Sequence, residues 1–293
     1  MSQYSIKDLE ELSGVKSHTI RIWEQRYGLL TPKRTDTNIR YYDDDNMRKL
    51  LNIVSLMAKG LKISAIGKLT EQEINERIFE LVEGEQVGDA QTVAIINQMV
   101  SSGLTYNEQI FEKAFSTALI RYGFKDTYVK VIYPMLVRIG ILWSSKDLIP
   151  AQEHFISNLV RQKIYAAIDT VPAIMDAKET WVLFLPDGED HELGLLLSAY
   201  LLRVGGKRVI YLGVNVSYSN LKAVIEEVKP DYIYFFLVVK KPKSVHQEFF
   251  NQIGRDFSKI NVYASSSQPP DPEINTPKNF QWINSVEEFL KKV

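Results

Sequence analysis

The sequence predicts a multidomain chain of the α and α/β classes: a winged helix-turn-helix segment, then a helical bundle, then a doubly wound parallel sheet. Three patterns support this prediction. Helix caps surround a short turn near the N-terminus, glycines interrupt helical periodicity in the middle, and strands alternate with helices beyond about residue 178. The predicted domain boundaries are residues 1–72, 73–175 and 176–293.

Composition excludes several classes of function. The chain has 45% apolar residues and no cysteine, so it is predicted to be globular, without disulfides, zinc-thiolate sites or thiol catalysis. Apolar runs such as IYFFLVV at 233–239 are far too short to span a membrane, and the N-terminus lacks an apolar signal segment. We therefore expect a soluble, cytoplasmic protein without a membrane partner.

Positive charge is concentrated near the N-terminus. Residues 1–70 carry twelve Lys/Arg against eight Asp/Glu, a net charge of +4, whereas the whole chain has a net charge of −1. Clustered cations favour a polyanion partner, because binding releases counterions from phosphates. On charge alone, a solvated basic face is the simpler interpretation.

The stretch SIKDLEELSGVKSHTIRIWEQR predicts two short helices around a tight turn. Ser5 is expected to cap the first helix, Gly14 to end it, and Ser17 to cap the second. This is the punctuation of a helix-turn-helix, whose second helix presents its first turns to the major groove. The candidate DNA-contacting residues of this segment are Ser17, His18, Thr19, Arg21 and Arg26.

The following stretch, TPKRTDTNIRYYDDD, predicts a short hairpin. Pro32 interrupts the helix, and residues 36–38 have the composition of a turn. Such a hairpin forms a wing that lies along the DNA backbone, and residues 43–45 are placed to cap the next helix. The candidate DNA-contacting residues of the wing are Arg34, Arg40 and Tyr41.

From residue 3 to about residue 70, this ordered set of features resembles the winged-helix DNA-binding domain of MerR-type transcription regulators. The resemblance implies a regulator that binds double-stranded operator DNA. Asn38 stands where this family usually has a wing glycine. Asparagine tolerates a positive φ better than most residues, so the departure is small.

The middle segment lacks the sustained heptads of a dimerising coiled coil. Glycines at 84, 88, 103, 123 and 140, with prolines at 134 and 150, divide it into moderate helices, which predicts a bundle. The predicted helices are about 74–83, 88–101, 106–121, 125–139 and 150–168.

Within this segment, Trp143 lies ten positions before Glu153, which is followed by His154. On spacing alone, a core tryptophan and a capping or surface pair are the simpler interpretations.

Apolar strands and helices alternate in the last third, as in TWVLFLP, RVIYLG, YIYFFLVV and INVYAS with helical stretches between them. This pattern predicts a parallel, doubly wound, Rossmann-like sheet. In such a sheet, ligands bind beyond the carboxyl ends of the strands. The sequence DGEDHELG at 187–194 directly follows the first strand, so His191 is expected in a ligand-facing loop.

Several chemistries compete for His191. A phosphate loop requires more glycines, and a catalytic triad requires a serine on a nucleophile elbow. A zinc site requires further ligands nearby, whereas the four histidines are scattered along the chain. A polar helix start remains the simplest interpretation. The functional interpretation that remains is that His191 binds a metal contained in a cofactor, while Glu189 orients the imidazole ring.

The motif ExHxxG at 189–194 and the pair Ser219-x-Leu221 resemble the cobalamin-binding domain in which histidine is the lower cobalt ligand. The preceding Trp-x9-Glu-His resembles the helical cap of CarH/LitR-type light-dependent repressors. The resemblance implies adenosylcobalamin as cofactor, a homo-oligomer (dimer or tetramer), and a DNA-binding repressor, not an enzyme, controlled by cobalamin and by light. It assigns cobalt ligation to His191 and cofactor contacts to Trp143, Glu153, His154, Glu189, Gly194, Ser219 and Leu221.

Two positions depart from that family. Ala264 and Ser265 stand where a Gly-Gly usually lets the nucleotide tail approach, and Ser144 stands where light-sensing members have a second histidine. These departures favour, as an alternative, a regulator that keeps the fold but works without cobalamin. A corrinoid methyl carrier is a further alternative, but such a carrier has no need of the N-terminal DNA-binding segment.

Overall fold

The computed structural model describes residues 3–35, 38–83, 89–144, 150–174, 176–239, 241–266 and 273–293; the side chains of residues 79, 82, 83, 89 and 140–144 lie outside this description. The chain forms two compact units, Met1–Leu159 and Val160–Val293. The division into three domains at 72/73 and 175/176 stays a prediction. Within the described ranges, no helix is both long and apolar enough to cross a membrane.

The first unit begins with the predicted winged helix-turn-helix. Its elements are α1 (Ile6–Ser13), α2 (Ser17–Tyr27), β1 (Lys33–Arg34), β2 (Arg40–Tyr41) and α3 (Asp44–Ala58).

Local capping explains where α1 begins and ends. The Ser5 hydroxyl accepts a hydrogen bond from the Asp8 amide at 3.3 Å, and the Asp8 carboxylate accepts one from the Ser5 amide, which together form a capping box. Gly14 follows the helix with a φ of 72°, the left-handed conformation that glycine adopts at low cost. Both predicted boundaries of α1 are confirmed.

The prediction that Ser17 caps α2 is wrong. Lys16 occupies the capping position, and no side chain caps this helix start. Ser17 is instead the first helical residue, and its amide and hydroxyl donate to the Glu10 carboxylate at 2.9 Å and 2.7 Å. An acidic side chain from α1 therefore satisfies one of the amides at this helix start that have no partner within the helix.

The predicted wing is present. Strands β1 and β2 pair antiparallel, with Lys33 opposite Tyr41 and Arg34 opposite Arg40. Asn38 has a φ of 66°, so it adopts the conformation expected of a residue in place of the wing glycine. The other two residues of the predicted turn, at 36 and 37, lie outside the described residues.

The remaining helices of the bundle confirm the prediction of several moderate segments, but the predicted boundary at Gly140 is wrong, because one helix continues through it to Ser144. They are α4 (Ile63–Ile66), α5 (Glu71–Glu83), α6 (Asp89–Leu104), α7 (Glu108–Thr127), a π-helical turn (Tyr128–Ile132), α8 (Tyr133–Ser144) and α9 (Pro150–Asp169).

Two glycines of the bundle act differently. Gly123, with a φ of 69°, kinks α7 as expected of a helix breaker. The prediction that Gly103 divides helices is wrong, because α6 continues to Leu104. A Cβ added at Gly103 would lie 1.9 Å from the Ile156 Cδ1 atom, so this glycine allows α6 and α9 to pack closely.

A buried polar joint connects α3 to α6. The Asn97 amide nitrogen donates to the Leu51 carbonyl at 3.0 Å and contacts the Ser55 hydroxyl at 2.6 Å. The Arg138 guanidinium donates to the Asn97 amide oxygen at 2.5 Å. Asn97 and Ser55 are each only 1% exposed. We call Leu51, Ser55, Asn97 and Arg138 the polar joint; it ties the third helix of the DNA-binding segment to the bundle.

The second unit is the predicted doubly wound sheet. Five parallel strands have the order β4-β3-β5-β6-β7, and the chain crosses over β3 between β4 and β5. The strands are β3 (Thr180–Pro186), β4 (Arg208–Val216), β5 (Tyr232–Leu237), β6 (Asn261–Ser266) and β7 (Phe280–Trp282), and the helices are α10 (Leu193–Val204), α11 (Tyr218–Val228), α12 (Lys243–Asp256) and α13 (Val286–Leu290).

This strand order fixes where a ligand is expected. The direction of winding reverses between β3 and β5, and crevices in open α/β sheets form at the carboxyl ends of the strands at such a point. The loop 187–194 leaves the carboxyl end of β3 at this reversal.

Candidate cofactor site and nucleic-acid interface

A buried carboxylate, Glu189, organises the loop after β3. It is 2% exposed, and its Oε2 atom accepts hydrogen bonds from the amides of Val238 and Val239, each at 2.7 Å. Its Oε1 atom lies 2.5 Å from the His191 Nδ1 atom. Because Val238 and Val239 directly follow β5, Glu189 joins the carboxyl ends of the two strands where the winding reverses.

The charge of Glu189 fixes the orientation of the His191 ring. Burial raises the pKa of Glu189, but hydrogen bonds from the His191 ring and from the Val239 and Val238 amides outweigh burial and lower this pKa to about 2. The carboxylate is therefore ionised at neutral pH and accepts the ring proton on Nδ1. The lone pair then lies on Nε2, the nitrogen that a metal would bind, on a side chain that is 43% exposed.

Neighbouring residues hold the loop from both sides. The Gly188 amide donates to the Asn215 side-chain oxygen at 2.8 Å, and the Asn215 amide nitrogen donates to the Asp190 carboxylate. The Lys241 ammonium donates to the Asp187 carbonyl. Asn215 lies near the carboxyl end of β4, and Lys241 follows β5. The loop therefore contacts segments from both strands that flank β3.

Gly194 allows the first turn of α10 to lie close to β5. A Cβ added there would lie 2.7 Å from the Phe236 Cε1 atom. The absence of a side chain therefore lets α10 begin directly beside β5. A contact of Gly194 with the cofactor stays a prediction.

The region predicted to hold the nucleotide tail is packed with apolar side chains. Leu221 is completely buried in the core that also contains Phe235 and Ala264. The Ser265 hydroxyl donates to the Ile283 carbonyl at 2.8 Å. A nucleotide tail would reach Leu221 only if α11 separated from the sheet. The tail-lining role of Leu221 stays a prediction, and here the structure gives it a packing role.

Ser219, the other residue of that motif, lies exposed in the first turn of α11. Its hydroxyl is 3.1 Å from the hydroxyl of Ser217, which caps the helix. A role for Ser219 in binding the tail stays a prediction.

The predicted cap residues belong to the bundle. The side chains of Trp143 and Ser144 lie outside the described residues. The His154 Nδ1 atom is 2.8 Å from a carboxylate oxygen of Glu153, and His154 is 70% exposed. The Ser157 hydroxyl donates to the other oxygen of Glu153. Their contacts with a cofactor stay predictions.

The donor set fits a metal that arrives inside a cofactor. Within the described ranges, no group of three or more His, Cys, Asp or Glu side chains could hold a metal ion. His191 offers one imidazole, oriented by a buried carboxylate, which would suit a metal whose other ligands a cofactor supplies.

The helix-turn-helix presents most of its predicted contacts to solvent. His18, Arg21 and Arg26 are exposed on α2, and the Thr19 hydroxyl lies 3.3 Å from the His18 Nε2 atom. Ser17 is the exception, because its hydroxyl and amide already bind Glu10.

The wing presents its own cations. Arg34 donates to the side chain and carbonyl of Asn38, at 2.7 Å and 3.3 Å, and so closes the turn. Arg40 is 39% exposed, and its guanidinium is 4.0 Å from the Glu24 carboxylate. Tyr41 is half-buried opposite Lys33. The contacts of these α2 and wing residues with DNA stay predictions.

The sequence did not reveal several groups that build the site. The Val238 and Val239 amides are backbone donors, which carry no side-chain signal. Asn215 could have been suspected only from its position near the carboxyl end of β4.

Comparison with known proteins defines the class of this protein. Residues 4–73 match the MerR HTH family of regulatory proteins, and residues 95–168 match a B12 binding domain. A helix-turn-helix with a wing, joined to a B12 binding domain and a doubly wound sheet, defines a DNA-binding transcription regulator of the MerR type.

Two relatives narrow the class. The chain is 31% identical over 237 residues to the HTH-type transcriptional repressor CarH of Myxococcus xanthus, covering 78% of this chain and 77% of that protein. It is 28% identical over 250 residues to the repressor CarA of the same organism, covering 78% and 74%. The chain belongs to the CarH family of MerR-type regulators. As predicted, it groups with transcription regulators and not with enzymes.

Among solved structures, the monomethylamine corrinoid protein of Methanosarcina barkeri aligns with 74% of this chain and 97% of its own, at 16% identity and a TM-score of 0.49.

Proposed function

We propose that this regulator represses transcription, that cobalamin controls it, and that His191 would hold the cobalt through its Nε2 atom. The observation that carries this proposal is the buried Glu189 carboxylate, which holds the His191 ring by Nδ1 at the carboxyl end of β3. A carboxylate placed behind a ligating histidine fixes its tautomer and makes it a better ligand.

We further propose adenosylcobalamin as the form that binds. When bound, it supplies a cobalt–carbon bond that light can cleave. The chain's own residues then have separate tasks: His191 donates Nε2, Glu189 fixes the ring, and the Asn215 and Lys241 contacts hold the loop. Trp143, Glu153 and His154 are proposed to contact the upper side of the cofactor.

On the DNA side, α2 is proposed to enter the major groove and the wing to follow the phosphates. Assembly into a dimer or tetramer would link several DNA-binding segments. The second segment then binds at a high effective concentration, so a modest change in assembly greatly changes operator occupancy.

The cofactor proposal is tested with the purified full chain mixed with adenosylcobalamin in the dark. Absorption spectra and size-exclusion chromatography are recorded before and after green light. We expect bound chromophore, a spectrum altered by His191→Ala but not by His246→Gln, and a change of size on illumination. Protein that elutes without chromophore refutes cobalamin binding. A spectrum unaffected by His191→Ala shows that His191 is not the cobalt ligand. An unchanged size on illumination refutes control of assembly by light.

The packed core at Leu221 and Ala264 favours a second candidate, a regulator that represses without cobalamin. In that case DNA binding is the same with and without the cofactor, in darkness and in light. Gel-shift titration under the four conditions distinguishes the two candidates.

The DNA surface is tested by the salt dependence of binding to a duplex. Arg40→Ala removes one exposed wing cation, so we expect the slope of log K against log salt to fall in magnitude by about one. Arg48→Ala is the matched control, because this α3 arginine is paired with Asp45 and Glu71 at 3.0 Å and 3.5 Å. Equal slopes for Arg40→Ala and the unaltered chain would show that this wing residue does not contact the DNA phosphates.

A further inference from the structure

A second carboxylate, that of Glu192, directly follows His191 in the sequence. Its Oε1 atom lies 2.6 Å from the Arg161 Nε atom, and its Oε2 atom accepts a hydrogen bond from the Tyr211 hydroxyl at 3.3 Å. The Glu192 and Arg161 side chains are only 15% and 30% exposed. All these groups belong to the second unit.

The direction of the Glu192 side chain is unusual for its position. Glu192 stands at the N-cap of α10, where an acidic side chain commonly accepts hydrogen bonds from the first helical amides. It makes no such cap bond. Its carboxylate is directed instead to Arg161 on the last turns of α9 and to Tyr211 on β4. The start of α10 is therefore held by two other elements.

The two carboxylates hold the chain before and after His191. Glu189 ties the residues before His191 to the end of β5, through the Val238 and Val239 amides. Glu192 ties the residue after His191 to α9 and β4. A backbone held on both sides keeps a ligating side chain within the narrow range of positions that ligation requires.

We propose that Arg161 is a positioning residue for the cobalt ligand: it binds Glu192 and thereby sets the place of the His191 backbone. This inference rests on the proposed function of His191. Arg161 lies in the stretch that matches a B12 binding domain, whereas His191 lies beyond it. A change in the last turns of α9 is transmitted to the ligand loop through the Arg161–Glu192 pair.

A first test needs no cofactor. Hydrogen exchange of the peptide covering 187–194 is measured by mass spectrometry for the unaltered chain, Arg161→Met and Lys207→Met. Lys207 is the matched control, because it forms an ion pair of similar exposure with Glu179, at 2.8 Å, at the opposite end of β3. We expect severalfold faster exchange in Arg161→Met only, since local opening follows from the loss of the contacts that hold a segment. Equal exchange in all three proteins overturns the proposal.

A second test reads the ligand itself. The cofactor is reduced to cob(II)alamin on protein labelled with ¹⁵N-histidine, and electron paramagnetic resonance reports whether a protein imidazole coordinates the cobalt. We expect Arg161→Met to lower the histidine-ligated fraction and to weaken cobalamin binding about tenfold, which is typical for the loss of a group that orients a metal ligand. Arg161→Lys should lower the histidine-ligated fraction and the affinity less than Arg161→Met does, because lysine keeps the charge but not the geometry of the guanidinium group.

The two tests separate the possible failures. If the unaltered chain shows no ¹⁵N coupling, the proposed function of His191 fails and the positioning role fails with it. If coupling is present and Arg161→Met matches Lys207→Met in coupling and affinity, only the positioning role is refuted. A loss of binding in Arg161→Met with an unchanged histidine-ligated fraction also refutes it, because the residue would then affect binding without positioning the ligand.

Discussion

At the scale of single residues, the site depends on which nitrogen of His191 carries the proton. The Glu189 carboxylate only accepts hydrogen bonds, so it takes two backbone amides on one oxygen and the ring Nδ1–H on the other. A side-chain amide in its place has only one accepting oxygen, and its NH₂ group can only donate. The chemistry of this one side chain therefore decides whether Nε2 has a lone pair for a metal.

Glu189→Gln is expected to weaken cobalamin binding by about 10- to 100-fold. Its oxygen would remain on the Val238 and Val239 amides, so its NH₂ group would donate to Nδ1 and move the ring proton to Nε2. Absorption titration measures the affinity. Asp190→Asn is the control, since Asp190 is an adjacent carboxylate that binds Asn215 instead. Similar affinities for the two variants would show that Glu189 does not control the tautomer.

The double substitution Ala264→Gly and Ser265→Gly tests the packed tail region. Removing the Ala264 methyl opens the core beside Leu221, at a cost of about 0.5–1 kcal/mol for each glycine placed in a strand. We expect tighter binding of cobalamin relative to cobinamide, a corrinoid without the nucleotide tail. The ratio of the two dissociation constants is the measurement. A ratio equal to that of the unaltered chain would show that these side chains do not obstruct the tail.

At the scale of elements, local signals predicted the helix starts well and contacts between elements poorly. Ser5, Gly14 and Asp43 lie within four residues of the groups they cap, so the sequence reveals them directly. Ser17 and Gly103 were misjudged because their partners, Glu10 and Ile156, lie on other helices. The Arg161–Glu192 pair was missed for the same reason, since 31 residues separate its members.

Asp43 gives α3 a pH-dependent start. Burial raises the pKa of Asp43, but the Lys33 ion pair and the bonds from Asn46 outweigh burial and lower it from 3.8 to about 2. A depressed pKa adds stability that is complete above pH 3.8 and is lost as the pH falls towards 2. Protection of the α3 amides in hydrogen exchange should fall over this range.

Two substitutions separate the charge of Asp43 from its capping bond. Asp43→Asn keeps a cap acceptor but should remove this pH dependence, whereas Asp43→Ala should also cost about 1 kcal/mol at neutral pH. If Asp43→Asn retains the full loss of protection below pH 3.8, another group is responsible.

At the scale of the whole molecule, the first unit contains the winged helix-turn-helix and the bundle without a coiled coil between them. The polar joint accounts for part of this union. The sequence predicted both parts, because each has its own periodicity and caps. It gave no sign of the joint, because a buried asparagine in a helix looks like any polar position until its partners are known.

Asn97→Leu is expected to destabilise the first unit by about 2 kcal/mol, because the Ser55 hydroxyl and the Arg138 guanidinium lose a buried partner. Urea unfolding measures the change. Gln98→Leu is the neighbouring control: its amide binds Asn52 at 3.2 Å in a half-buried position, so we expect a loss below about 1 kcal/mol. Equal losses in the two variants would show that the joint is no stronger than an ordinary surface contact.

The polar joint also bears on how such regulators can diversify. The match to the MerR family ends at residue 73, and a recombination there would deliver the DNA-binding segment to a new sensor. The transplanted α3 would carry the Leu51 carbonyl and the Ser55 hydroxyl, but their partner Asn97 would stay behind. A foreign helix without an amide at the facing position would lose both buried hydrogen bonds from Asn97 and leave the Ser55 hydroxyl only its bond to the Leu51 carbonyl, at 2.9 Å. We therefore expect the DNA-binding segment and α6 to be inherited together. A stable chimaera should contain α6 as well as the DNA-binding segment.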